Sequence, residues 1–134
     1  MTIERRCERE IVELHEFFEQ WFTGKGSGGA ESFARVAGAL GDGFVIIFPD
    51  GKLVGREALL AGLREGYGRR SNFRIWIKNV RLHHHEGEVA VATYEEWQES
   101  TEGITARLST VVFREKAGNA NQLEWRHVHE TWLA

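Results

Sequence analysis

Apolar side chains recur at Ile3, Cys7, Ile11, Leu14, Phe18 and Trp21 in steps of three and four, with Glu and Arg filling the gaps. That spacing predicts one amphipathic helix over residues 3–22, with Phe17 and Phe22 flanking the apolar stripe and Thr2 as its N-cap. The run Gly24-Lys25-Gly26-Ser27-Gly28-Gly29 then stops the helix, because glycine gains little from helical backbone. A shorter helix is expected over residues 30–40.

From Gly41 the period changes. Phe44-Val45-Ile46-Ile47-Phe48 is aromatic and β-branched, and Pro49-Asp50-Gly51 turns the chain toward Lys52-Leu53-Val54, which predicts a short hairpin. Leu59, Leu60, Leu63 and Tyr67 restore helical spacing over residues 56–67. The remainder predicts four strands, at about 73–85, 88–100, 104–116 and 122–132. Helix, helix, hairpin, helix and then long antiparallel crossings describe an α+β domain: a strongly bent antiparallel sheet wrapped around the long N-terminal helix, cone-shaped and enclosing a pocket.

Composition narrows the partners. The 134 residues, 42% of them hydrophobic, suit one domain spanning 1–134. A net charge of −3 gives no broad basis for binding nucleic acid, and no apolar run approaches the ~20 residues that cross a bilayer. The single cysteine, Cys7, can form no internal disulfide, and residues 1–10 are charged where a secretion signal would be apolar. A cytoplasmic location is expected.

The element order, together with Asp50-Gly51-Lys52-Leu53-Val54-Gly55-Arg56-Glu57-Ala58-Leu59, Arg107-Leu108-Ser109-Thr110-Val111-Val112-Phe113-Arg114 and Trp125-Arg126-His127-Val128-His129-Glu130-Thr131, resembles the nuclear transport factor two-like superfamily, in its SnoaL-like branch. The resemblance covers nearly the whole chain and implies the bent-sheet fold. It does not choose a function, because that superfamily includes isomerases, cyclases, dehydratases, kinase association domains and transport adaptors. No catalytic residue is carried over from it.

Strand register can be counted from the turns. A two-residue turn at Glu86-Gly87 places Trp76 opposite Trp97, Lys78 opposite Glu95, Val80 opposite Thr93 and Leu82 opposite Val91. A similar turn at Glu102-Gly103 places Gln98 opposite Arg107 and Ser109 opposite Glu96. One face then carries Ile75, Ile77, Asn79, Ala90, Ala92, Tyr94, Glu96, Gln98, Arg107, Ser109, Val111 and Phe113. The small Ala90 and Ala92 let a helix approach, which makes this the concave interior. The other face, with Trp76, Trp97, Leu108 and Val112, is apolar enough to expect a homodimer contact. A bulge in any strand would invert the facing of the residues beyond it.

Glu96 and Arg107 are the leading site pair, diagonal neighbours on the concave face. A carboxylate and a guanidinium in an apolar pocket can orient a polar ligand or move a proton; a structural ion pair is the competing reading. Candidate ligand-binding residues are Trp21, Tyr94, Glu96, Gln98, Arg107, Ser109, His127 and His129, the two histidines because they share one face of the last strand and Trp21 as a stacking platform. No metal or cofactor is expected: His83-His84-His85 alternate across a strand, and no cysteine ligand lies near. The glycine-rich loop lacks the Gly-Lys-Ser/Thr ending and the strand-before-helix context of a phosphate loop. Two functions stay open: a domain binding a small, largely apolar molecule, and an isomerase, cyclase or dehydratase acting on a small carbonyl compound by acid-base chemistry.

Overall fold

The computed structural model describes residues 1–133. The first apolar stripe becomes α1 (Ile3–Thr23), opened by the Thr2 hydroxyl, which accepts from the Arg5 amide at 3.1 Å, and closed by Gly24 at φ 73°. That left-handed turn is open to glycine at little cost. The stripe is buried at Cys7, Ile11, Leu14 and Trp21, and it also carries two polar side chains inward, Glu10 and His15.

Next come α2 (Ala30–Ala39), β1 (Leu40–Ile47), β2 (Leu53–Gly55), α3 (Arg56–Glu65), β3 (Arg74–Glu86), β4 (Val89–Ser100), β5 (Gly103–Glu115), a 3-10 turn and β6 (Leu123–Trp132). Six strands form one sheet in the order β2-β1-β6-β5-β4-β3. The antiparallel expectation needs one correction: β1 runs parallel to β6 and joins the first half of the chain to the last strand. Two segments this far apart in sequence pair without a hairpin, so no turn signal announces their direction.

Bulges bend the sheet. The β3/β4 turn falls at Gly87-Glu88, one residue later than counted, so Leu82 faces Ala92 and Arg81 faces Thr93. Two bulges in β3, between Lys78 and Arg81 and between Leu82 and His84, absorb that offset, and Trp76 meets Trp97 and Lys78 meets Glu95 as counted. At the first bulge Asn79 takes φ 54° and donates to Glu95 on the outer face, while Val80 and Leu82 turn inward to the core. Strict alternation, which places Asn79 on the concave face, fails here: the bulge turns Asn79 outward and Val80 and Leu82 inward. The β4/β5 turn lies at Thr101-Glu102, which slides the pairing by two residues: Glu96 sits opposite Arg107, and Tyr94 opposite Ser109. A two-residue slide preserves facing, so the concave set on these strands stands.

The core lies between α1 and the concave face, where Ala90, Ala92, Val111 and Phe113 are fully buried against Cys7, Ile11 and Leu14. Glu10 is held there by Arg35 through two bonds of 2.8 and 3.2 Å and by the Trp125 indole at 2.8 Å. The Gly24–Gly29 connector is pinned by the Tyr67 hydroxyl, which donates to Gly26 O at 2.6 Å.

Candidate functional site

Between the helices and the concave face of the sheet lies a cavity of about 310 Å³. Its walls are mainly apolar, from Leu14, Phe18 and Phe22 on α1, Phe44 and Ile46 on β1, Leu59 and Leu63 on α3, and Phe73, Trp125 and Val128. Six polar side chains interrupt them: His15, Arg70, Glu96, Gln98, Arg107 and Glu130, with Tyr94 beside them.

Five of these groups form two hydrogen-bonded sets that lie side by side. His15 Nδ1 lies 2.7 Å from Ile11 O, one turn back on its own helix, and Nε2 lies 3.0 Å from Glu96 Oε1. Gln98 donates to the other Glu96 oxygen at 2.6 Å. Arg107 donates from Nη1 to Glu130 at 3.0 Å, and its guanidinium lies over Trp132 at 4.8 Å. Its Nε is 3.9 Å from Glu96 Oε2, too far for a hydrogen bond, and has no partner among the described residues although buried. Ser109 Oγ reaches the second Glu130 oxygen at 3.4 Å.

Burial and charge divide the protons unequally. Burial alone would raise the Glu96 carboxyl, but the charge and hydrogen bond of His15, joined by the Arg107 charge and the Gln98 hydrogen bond, outweigh it and hold Glu96 below its ordinary range. In the same way burial works against a charged His15, and Glu96 reverses the balance, so the imidazole lies above its ordinary value. Together they form a buried ion pair. Glu130 moves the opposite way: burial first and the Glu96 charge second push it up to about 7, against the pull of Arg107. The Tyr94 phenol is driven well above its usual value, by burial and then by the two carboxylates. At neutral pH the cavity thus holds one carboxyl that can give or take a proton, beside a cation with unused donors.

Tyr94, Glu96, Gln98 and Arg107 all line this cavity, and Ser109 supports Glu130 behind it. Three other candidates lie elsewhere. Trp21 is buried between Phe17, Phe33 and Tyr67, its indole donating to Leu63 O at 2.6 Å. It packs the helices together and is absent from the cavity wall. His127 and His129 do share a face, but that face is the convex one, while Val128 and Glu130 point into the cavity. The cause is a bulge: Phe113 pairs with Trp125 and Val112 with His127, so the extra residue at Arg126 inverts the strand beyond it.

The sequence reading missed His15 and Glu130. His15 follows the stripe spacing of Ile11 and Leu14, so helical periodicity pointed to it; Glu130 shares strand parity with the apolar Val128. Arg70 was hidden in a loop, where no period operates. Away from the cavity His83 contacts Thr93 and His85 contacts Glu115. Among the described residues no three His, Cys, Asp or Glu side chains are grouped as a metal site requires. Among the described residues no helix is long and apolar enough to cross a membrane.

Comparison with known proteins places this architecture. The structure superposes on an NTF-2 like protein of unknown function from Pseudomonas aeruginosa with a TM-score of 0.87 and 28% identity, covering 96% of this chain and 99% of that one. An NTF2-like protein of unknown function from Pseudomonas putida shares the fold at TM-score 0.59 and 16% identity, over 89% of this chain and 83% of that one. The NTF2-like superfamily resemblance therefore holds. In sequence, the chain is 26% identical over 127 residues to sucrose-phosphatase 2 of Nicotiana tabacum, covering 92% of this chain but only 30% of that relative. The family model described as sucrose-6-phosphate phosphohydrolase C-terminal matches residues 7–134. With nearly its whole length matched, the chain belongs to the sucrose-6-phosphate phosphohydrolase C-terminal family.

Proposed function

We propose that this chain is a small-molecule-binding domain, its ligand held in the concave cavity by a largely apolar body and one oxygen-bearing group facing Arg107. The observation that carries the reading is the state of Arg107. A guanidinium has five N–H donors, yet among the described residues this one makes a single side-chain hydrogen bond, to Glu130, and its buried Nε has none. An orphaned buried donor costs about 1–3 kcal/mol, and a ligand oxygen reached by a small side-chain rotation would recover part of that. The aromatic walls supply the complementary apolar contact. A homodimer through the convex face remains part of the proposal, supported by the Trp76 and Trp97 rings, stacked with centroids 6.3 Å apart, and by Leu108 and Ile104, both exposed there.

The test is a thermal-shift and native mass-spectrometry screen of small carboxylic acids, ketones and their neutral analogues. Arg107→Lys keeps the charge and loses the planar fork, and is expected to weaken the best ligand about tenfold while remaining folded. A ligand that stabilises parent and variant equally would remove Arg107 from the site.

One observation favours a second reading, an acid-base enzyme of the isomerase, cyclase or dehydratase type. Glu130, pushed up to about 7, has the proton affinity a general base or acid needs near neutral pH. Arg107 beside it would stabilise an oxyanion developing on a substrate carbonyl. The sugar-phosphatase activity in the relatives' names belongs to proteins of which this chain spans about 30%. For the cavity itself a phosphate dianion is a poor fit, because Glu96 and Glu130 flank Arg107.

A further inference from the structure

Arg70 stands at the threshold of the cavity, in the loop after α3. Its backbone is tied to α1 by the bond from its amide to Phe22 O, at 2.9 Å. Its guanidinium lies 3.9 Å from the centroid of the Phe73 ring and 5.7 Å from that of Phe22. No hydrogen bond or ion pair engages that guanidinium among the described residues. Stacking on a ring fixes where the charge sits but satisfies none of its donors. On the far side a polar recess, lined by Arg69, Ser71, Asn72, Ser100 and Thr101, shares Arg70 and Phe73 with the cavity.

The second guanidinium of the cavity is Arg107, also short of partners. Burial first, and the neighbouring Arg107 charge second, hold Arg70 below the ordinary arginine range, so the two cations oppose each other; Glu102 in the recess works the other way. Two like charges that face one cavity with unused donors, and repel, are relieved by an anion between them.

We infer that the ligand is an amphiphilic monocarboxylate, its apolar body among Phe18, Phe22, Phe44 and Leu63 and its carboxylate received by Arg70 and Arg107 together. This rests on the small-molecule reading above and adds the charge class. A single negative charge suits the site better than two, because Glu96 and Glu130 already stand beside Arg107. Arg70 acts as a latch, closing over the carboxylate at the mouth, whereas Arg107 meets it from within.

Titration calorimetry on the full chain tests this with alkyl carboxylates from butyrate to decanoate, phenylacetate and hydrocinnamate, each beside its primary amide, and a hexose phosphate as a separate arm. The expected result is binding of at least one carboxylate, with its amide weaker by about tenfold or more. Arg70→Gln removes a cation that makes no hydrogen bond or ion pair among the described residues and gives up only its packing on the Phe73 and Phe22 rings; its fold is checked by thermal melting. It is expected to weaken the carboxylate by about tenfold and the matching amide by clearly less, because only the carboxylate loses a charge-assisted contact. Amides that match their acids, or an Arg70→Gln variant with undiminished carboxylate affinity, would overturn the anionic class while leaving a small-molecule site intact. A hexose phosphate that binds tighter than every monocarboxylate would overturn it too. Failure of every acid and every amide to bind would remove both this inference and the reading beneath it.

Discussion

Glu130 is where burial and charge compete most openly. It faces Arg107 and Ser109 on β5, Glu96 on β4 one strand further along the same concave face and, beyond Glu96, His15 on α1. Because the folded carboxyl titrates near 7 and the unfolded one near 4.5, the folded state binds more protons between those values. Stability therefore falls as pH rises through that window, by on the order of 3 kcal/mol at most. The raised His15 adds to the same trend, since its stabilisation is lost as pH climbs through its folded value. Glu96, held low, acts only below the ordinary carboxylate range and leaves this window untouched. Thermal melts should therefore show a lower Tm at pH ~8 than at pH ~6, and Glu130→Gln, which cannot ionise, should flatten the decline. An equally steep decline in the variant would assign the proton to another group.

The bend of β3 depends on Asn79, the non-glycine residue that this strand holds at φ 54°. Asparagine tolerates left-handed backbone better than most residues, and here its amide also bonds Glu95 at 2.7 Å. The bulge it forms turns Val80 and Leu82 toward the core and lets the strand curl around α1. Asn79→Val places a β-branched residue in that conformation and is expected to cost about 1–3 kcal/mol in urea denaturation. Asn79→Gly loses the bond to Glu95 but relaxes the backbone, and should fall within about 1 kcal/mol of the parent. A valine variant as stable as the glycine one would show that the bulge is imposed by the surrounding packing alone.

The assembly proposed through the convex face gives the fifth expectation. Trp76 and Trp97 stack there beside exposed apolar Leu108, while Lys78 lies 4.7 Å from the Trp97 ring centroid. Trp97→Glu would set a carboxylate in the contact without touching the concave core, and should shift sedimentation toward the 15.3 kDa monomer. If parent and variant sediment alike, that face is not the interface.

How much of this was legible beforehand follows from the range of each interaction. Every helix and strand could be located from the sequence, because periods of 3.6 and 2 are properties of neighbouring residues. So could the facing of β4 and β5, which brought Tyr94, Glu96, Gln98 and Arg107 to one surface, since even the misplaced turn at Thr101-Glu102 shifted the pairing by two residues and kept its parity. What lay beyond reach was settled by contacts between distant segments. The extra residue at Arg126 is absorbed against β5, and it exchanged His127 and His129 for Val128 and Glu130 in the cavity. The parallel pairing of β1 with β6 carries no turn to announce it. His15 became part of the site only when α1 lay across the sheet and met Glu96. Local periodicity determined which elements form and which residues share a face. Tertiary packing decided which bulges the sheet accepts, and with them which charged groups meet in the cavity.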